Sequence, residues 1–421
     1  MLEQAVIIAG GKGTRLKNVT NEKPKILVPL ENKTLLDYQI EYLKNNGIKK
    51  IHFCLGYKYE QILSHLASTD IKYTYSVEDR PLGTYGALLN AKDFLDESFF
   101  ILYGDILTNF DIQQGYRSFV DRNSDIHLIL RYTNHPEDSD LVNLNSKNRV
   151  TSISRMHKNK EFMMPIGNTS LLFSNKKVLK KVNFEKKLDL FKDFIKDNLT
   201  NLNITGAISV DYIRDIGTQE RYDIETSRYK EKINKPYKVV FLDRDGTLIE
   251  DQGNENNIKK IKFNSLLLEI LKYFQSRSYK IILISNQPGI AKGFFTREDV
   301  DRFNATLQYK LIDNHLDPLD DIFICPHHPE KGFKGENKEL KIACNCRKPN
   351  IGLVEAALSM HSLDRKNFLF MGDTKRDYEL SKKFNAPFYL IKSNLTEEEY
   401  FKQIKIEPVT LFEEFIKKLN N

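Results

Sequence analysis

Two aspartates, Asp243 and Asp245, stand two residues apart just past the apolar run Val239-Val240-Phe241-Leu242. At that spacing both carboxylates can face one phosphate, one attacking phosphorus while the other protonates the leaving oxygen. Asp-x-Asp is common in loops, so the pair gains meaning only from three further pieces that follow in order. Ser285-Asn286 closes another apolar run and offers hydrogen bonds to phosphoryl oxygens. Arg347-Lys348 brings fixed positive charge, and Met371-Gly372-Asp373-Thr374 ends a further run with a carboxylate placed for Mg²⁺. Asp377, four residues on, either sits beside Asp373 or caps a helix start.

Between these pieces lie Cys325-Pro326-His327-His328 and Cys344-Asn345-Cys346. C-x-H with C-x-C offers three thiolates and an imidazole, the number and type that close a tetrahedral zinc site. The loop between the two pairs is rich in glycine and lysine and has little apolar content to fold on its own. Cysteines clustered with histidine point to metal before disulfide, whereas Cys54 stands alone in an apolar run and reads as core. Because Arg347-Lys348 directly follows Cys346, a metal there would also fix where those cations point.

The first half carries a different pattern. Gly10-Gly11-Lys12-Gly13-Thr14-Arg15 follows the short apolar run Gln4 to Ala9, and glycines there let the backbone wrap a polyphosphate with its N–H groups aimed at the oxygens. The spacing is neither that of a P-loop nor of a dinucleotide fold. Pro24-Lys25 follows, so Arg15 and Lys25 together can neutralise charge on a transferring phosphoryl group.

The run AGGKGTRLKNVTNEKPKILVP resembles the opening of the sugar-1-phosphate nucleotidyltransferases. The likeness continues at Glu78-Asp79-Arg80-Pro81-Leu82-Gly83-Thr84, similar to that family's base-binding segment, at Tyr103-Gly104-Asp105, and at Asp215-Ile216-Gly217-Thr218. It implies that Ala9, Gly10, Gly11, Gly13, Thr14 and Gly83 bind the nucleotide, and that Asp105 and Asp215 hold Mg²⁺ between the phosphates of the two substrates. Asn168 and Glu185 fall where the family contacts sugar, but Asn168-Thr169-Ser170 departs from its usual Asn-Ala-Gly.

The second set resembles the haloacid-dehalogenase-type phosphatases. On that resemblance Asp243 is the nucleophile and Asp245 the general acid/base, with Mg²⁺ held by Asp243, Asp373 and the main-chain carbonyl of Asp245. Ser285, Asn286, Arg347 and Lys348 would contact substrate. FLDRDGTL, SNQPGIAKG, CPHHPE and CNCRKPNIG are more narrowly similar to the D-glycero-D-manno-heptose 1,7-bisphosphate 7-phosphatases. That narrower likeness makes Cys325, His327, Cys344 and Cys346 the zinc ligands and leaves His328 flanking them or beside substrate. Histidinol-phosphate phosphatases share this architecture and zinc site.

The halves constrain each other. A phosphatase acting at C7 of a heptose bisphosphate yields a heptose 1-phosphate, the acceptor a nucleotidyltransferase needs. The first half thus resembles the heptose 1-phosphate guanylyltransferases, which implies GTP as donor and GDP-heptose as product. The alternative is a mannose or glucose 1-phosphate nucleotidyltransferase with another base, joined to a histidinol-phosphate-like or other sugar phosphatase.

The elements that must position these residues alternate strand and helix. Gln4–Ala9, 51–55, 71–76 and 99–103 read as strands, with helices at 34–45, 59–66 and 86–94 between them. The lysine-rich stretch YKEKINKP, 229–236, separates a domain at 1–228 from one at 237–421, where strands at 237–242, 280–284, 321–324, 368–371 and 387–391 restart the rhythm. The expected fold is α/β: two open, mainly parallel sheets flanked by helices, with ligands at the carboxyl ends of the strands. A net charge of +7 scattered over 421 residues gives no clustered basic face for nucleic acid, and no run is long enough for a membrane span. The composition points to the cytoplasm, small-molecule substrates and no membrane partner, and leaves a homo-oligomer open.

Overall fold

The computed structural model describes residues 1–11, 13, 23–155, 163–180, 187–232, 236–253 and 255–420. The chain forms two compact units. The first comprises Met1–Arg131, Asp140–Arg155 and Gly167–Asn234; the second comprises Tyr132–Ser139, Met156–Ile166 and Lys235–Asn421. The lysine-rich stretch is helical as far as Lys232, in a helix that begins at Gln219.

In the first unit, β1 (Gln4–Ala9) lies between β2 (Lys50–Leu55) and a strand at Ser98–Tyr103, parallel to both. β3 (Tyr73–Val77) extends this parallel set beyond β2. With the 98–103 strand as β4, the sheet continues antiparallel through Ile166–Asn175 to Asp140–Leu144 and Val150–Arg155, reaching nine strands among the described residues. The sheet is therefore mixed, with its parallel part carrying the glycine-rich loop. The helix Leu35–Asn45 connects β1 to β2 and starts on a reciprocal cap, in which Thr34 Oγ1 accepts from Asp37 N–H and Asp37 accepts from Thr34 N–H. Such a cap is worth about 1 kcal/mol. Gly47, at φ 78°, ends the turn after it, as the Asn46-Gly47 pair predicts. Phe100, Phe110 and Phe173 pack as a buried aromatic cluster beneath β4.

The second unit is built on five parallel strands. With β5 taken as Tyr237–Leu242, β6 as Lys280–Asn286, β7 as Asp321–Cys325, β8 as Leu363–Gly372 and β9 as Phe388–Leu390, the order is β7-β6-β5-β8-β9. β5 is central and wholly buried from Val239 to Leu242, as its unbroken apolar run requires. Its two neighbours are the strands that end in Ser285-Asn286 and Gly372-Asp373, so sheet order alone gathers three of the four phosphatase motifs at one edge. Helices Ser265–Ser276 and Arg297–Asp313 cover the sheet through Leu271, Phe274, Phe303 and Leu307, all buried. No helix among the described residues is long and apolar enough to cross a membrane.

Candidate active sites

In the second unit the carboxyl ends of β5, β6 and β8 open on a cleft of about 160 Å³ that contains Asp243, Asp245, Ser285, Asn286, Lys348 and Asp373. Lys348 reaches in from the segment that follows Cys344 and Cys346. Its Nζ donates to Asp243 Oδ1 at 2.6 Å and to Asp377 Oδ1 at 2.7 Å. Burial works against its charge, but the two carboxylates hold its pKa above the usual lysine value. The Lys348 backbone is locked as well: its N–H donates to Asn286 Oδ1 at 2.9 Å, and Asn286 Nδ2 donates to its carbonyl at 3.1 Å. The Asn286 amide thus positions Lys348. Ser285 is buried at the cleft wall and accepts from Gln287 Nε2.

Asp377 lies beside Asp373 and also caps a helix start, and it makes a contact with Lys348 that its sequence position did not suggest. Its Oδ2 accepts from the N–H and hydroxyl of Thr374, capping the helix Lys375–Lys383, while Oδ1 holds Lys348. Asp245 is held from the side by Arg244 at 3.1 Å and Gln287 Nε2 at 2.8 Å, residues that the sequence reading passed over. Arg244 is itself buried, fixed by Asn304 and by the face of Phe303. Gly246 has φ 82°, and a Cβ there would lie 2.0 Å from Asp373 Oδ2, so only glycine admits the turn and the carboxylate together.

Carboxylate oxygens of Asp243, Asp373 and Asp377 lie within 4.8 Å of one another, with Lys348 as the cation between them. Burial pushes Asp243 up to about 6 against the pull of Lys348, and burial with the neighbouring carboxylates pushes Asp373 up to about 8. Three buried carboxyl groups share one ammonium, and a hard divalent cation bound by oxygen fits that donor set.

At the end of β7, Cys325 Sγ lies 3.5 Å from Cys344 Sγ and 3.0 Å from Cys346 Sγ, and His327 Nδ1 lies 3.2 Å from Cys346 Sγ. These separations approach the edge of a tetrahedron with roughly 2.3 Å metal–sulfur bonds. The contacts with Cys325, Cys344 and His327 pull the Cys346 thiol well below its usual pKa. His328 is outside it, buried edge-on against Phe333. Arg347 is half-buried at the cleft, donating to the His327 carbonyl at 3.4 Å; burial lowers its pKa and the charge of Arg376 acts in the same direction.

In the first unit, Ala9, Gly11, Gly13, Lys25 and Asp105 line a cleft of about 310 Å³. β1 and β4 are parallel neighbours, and Gly104 N–H donates to the Ile8 carbonyl at 2.9 Å, which brings Asp105 beside the glycine loop. Lys25 is carried on a short turn anchored by buried Ile26 and Leu27, and its Nζ meets Asp105 Oδ2 at 2.5 Å. Asp215 stands next to Asp105 on a two-stranded ladder that pairs it with Ile106, yet its carboxylate is taken by Arg221 at 2.6 and 2.8 Å. Gly10 lies beneath Glu78, whose carboxylate a Cβ there would meet at 2.7 Å. Gly83, at φ 78°, packs on the Leu188 carbonyl, leaving Thr84 to reach the cleft. Asn168 accepts from Ser170 N–H within its own strand and does not line this cleft. Thr14, Arg15 and Glu185 fall outside the described residues.

Comparison with known proteins follows the same division. A model described as nucleotidyl transferase matches residues 4–230, and one described as polynucleotide kinase 3 phosphatase matches residues 238–389. The D-glycero-alpha-D-manno-heptose 1-phosphate guanylyltransferase of Campylobacter jejuni is 32% identical over 52% of this chain and 96% of its own. The D-glycero-beta-D-manno-heptose-1,7-bisphosphate 7-phosphatase of Haemophilus influenzae is 36% identical over 33% of this chain and 73% of its own. The corresponding alpha-heptose enzyme of Photorhabdus laumondii is 33% identical over 37% of this chain and 83% of its own. The chain belongs to the nucleotidyl transferase family over its first half and to the heptose-bisphosphate phosphatase family over its second. Both halves are enzymes, and the motif resemblances that pointed to each are borne out.

Proposed function

We propose that the chain removes the 7-phosphate of D-glycero-D-manno-heptose 1,7-bisphosphate and then transfers GMP from GTP to the resulting heptose 1-phosphate, releasing pyrophosphate and GDP-heptose. The observation that carries this reading is that one chain joins relatives of both enzymes, so the product of the second half is the acceptor of the first. The phosphatase relatives differ in the anomer they are named for, and the guanylyltransferase relative is named for the alpha form. We assign this chain the alpha anomer on that ground. GTP as substrate and clustered free thiols suit the cytoplasm.

In the phosphatase domain, from 237 onward, Lys348 keeps Asp243 ionised and fixes its rotation through Oδ1. Asp243 attacks the C7 phosphorus and the P–O bond to the sugar breaks. Asp245, steadied by Arg244 and Gln287, gives its proton to the departing oxygen and then takes one from the water that splits the aspartyl phosphate. Ser285 and Arg347 face the phosphoryl oxygens and the substrate. Asp243, Asp373 and the Asp245 carbonyl would hold Mg²⁺, which supplies charge neutralisation at the phosphoryl group. Cys325, His327, Cys344 and Cys346 would hold a structural Zn²⁺.

In the transferase domain the sugar phosphate oxygen attacks the α-phosphorus of GTP and the bond to pyrophosphate breaks. No covalent protein intermediate is needed, so placement and charge dominate. The Ala9–Gly13 loop cradles the phosphates, Arg15 and Lys25 neutralise them, and Asp105 with Asp215 would hold a second Mg²⁺. Asn168 and Glu185 are assigned to the sugar.

The test supplies heptose 1,7-bisphosphate, GTP and Mg²⁺ to the intact chain, with phosphate, pyrophosphate and GDP-heptose expected in that order. An Asp243→Asn chain should stall and recover when given heptose 1-phosphate. Formation of a nucleotide-linked heptose 7-phosphate by that variant, or equal use of all four nucleoside triphosphates by the wild type, would overturn the reading.

A further inference from the structure

In the first unit, each of the two carboxylates assigned to a divalent cation already holds a cation of the chain's own. Lys25 Nζ meets Asp105 Oδ2 at 2.5 Å, and Arg221 Nη1 donates to both oxygens of Asp215, at 2.6 and 2.8 Å. The two aspartates are tied together, since Ile216 N–H donates to the Asp105 carbonyl at 2.9 Å. Arg221 stands in the first turn of the helix Gln219–Lys232. That turn is fixed: the Arg221 N–H donates to Thr218 Oγ1, and the hydroxyl of the next residue, Tyr222, donates to the Pro29 carbonyl at 2.5 Å. The Arg221 side chain can therefore change partners while its backbone stays in place.

A carboxylate held at both oxygens by a guanidinium is a poor metal ligand, because its charge is already offset, so Arg221 has to let go before Asp215 can serve. It is placed to do so. The Arg221 and Asp215 side chains are 37% and 35% exposed, and an ion pair this open to water is a weak restraint. The phosphatase pair Lys348–Asp243, at 3% and 11%, is the opposite case. What Arg221 opposes is a bare dication, since displacing the arginine leaves its charge beside the incoming one, and Lys25 does the same at Asp105. A nucleoside triphosphate changes that balance, because its oxygens offer both displaced cations a new partner. We propose that Arg221 is a counter-charge gate on Asp215, keeping a free divalent cation out of the transferase site and yielding to one that arrives with a nucleoside triphosphate. This rests on the transferase reading above and extends it to the order of binding. Arg221 acts through Asp215 and is a positioning residue.

The test titrates Mn²⁺ alone into the intact chain by electron paramagnetic resonance. Each titration is differenced against the same chain carrying Asp215→Asn, so that binding elsewhere cancels. Without nucleotide the wild type should show little difference, whereas Arg221→Gln should bind Mn²⁺ at this site about fivefold more tightly. Arg221→Lys keeps the charge and should stay close to the wild type; a side chain needed only for packing would give the lysine and glutamine variants the same titration. An Arg221→Gln chain whose difference titration matches that of the wild type overturns the inference. Retention of GTP in the presence of Mn²⁺ keeps this result apart from the parent reading. If Asp215→Asn retains GTP as tightly as the wild type, the metal assignment falls and the gate with it. A loss of retention in Asp215→Asn, together with unchanged Mn²⁺ binding in Arg221→Gln, overturns the gate alone.

Discussion

Lys348 Nζ lies 2.6 Å from Asp243 Oδ1, with both side chains buried. The ammonium is also the only cation within hydrogen-bond reach of Asp377 among the described residues, so one lysine balances two buried carboxylates. Lys348→Ala should therefore abolish phosphate release and also destabilise the phosphatase domain, by about 3–5 kcal/mol if it behaves like other broken buried pairs. Nucleotidyl transfer in the same chain should be nearly unchanged. Calorimetry alongside the two assays checks this, and a variant with wild-type melting would mean that the carboxylates are neutral in the folded protein.

Lys25→Ala should cut nucleotidyl transfer by about 100-fold or more, in line with losing one well-placed stabilising donor at a reacting phosphate. Phosphate release from the bisphosphate should stay within experimental scatter. Pyrophosphate release measured at saturating GTP is the readout, and a normal rate would remove Lys25 from the mechanism.

Cys344→Ser should lower zinc content towards zero and reduce the melting temperature of the phosphatase domain, because a closed metal site contributes folding free energy directly. Chelation of the wild-type chain should give the same shift and spare the transferase domain. Metal analysis that finds no zinc in carefully purified protein would end the zinc assignment.

His52 is buried between Thr74 and Ser76, and burial pushes its pKa down to about 4. The unfolded histidine takes up its proton first as pH falls, so the stability tied to its neutral form is full above about 6.5 and is lost on acidification towards 4. The shift corresponds to about 3 kcal/mol at the acid end. Hydrogen-exchange protection of the Lys50–Leu55 strand, corrected for the intrinsic rates, should fall off more steeply between pH 7 and 4.5 in the wild type than in His52→Gln. Parallel slopes would show that His52 is not responsible.

Much of both sites was legible because the motifs follow apolar runs, and apolar runs of that length become buried strands. Asp243, Ser285 and Asp373 were readable from chain order alone, since each follows such a run, and the sheet order then made neighbours of them. The partners of these groups were not readable. That Asn286 clasps the Lys348 backbone, or that Gln287 steadies Asp245, depends on the meeting of segments far apart in sequence. The antiparallel part of the first sheet was missed for a related reason. Asp140–Leu144 and Val150–Arg155 are short and partly polar, and pair with each other at the sheet's edge, so they show little periodicity until their partners are known. Asp215 lies on a strand paired with the one that follows Asp105, but its bond to Arg221 could not be foreseen from a spacing of six residues.

Cys346, Arg347 and Lys348 are consecutive, and each answers to a different master: the thiol cluster, the mouth of the cleft, and the nucleophile. Three fixed addresses on adjacent residues leave no slack in the chain. One residue inserted or deleted between 346 and 348 would pull at least one of them out of register, whereas residues 329–335, exposed for most of their length, have room to grow or shrink. A library of length variants across this loop should therefore split sharply, with tolerance confined to the outer arc and none at the cysteine-arginine-lysine step.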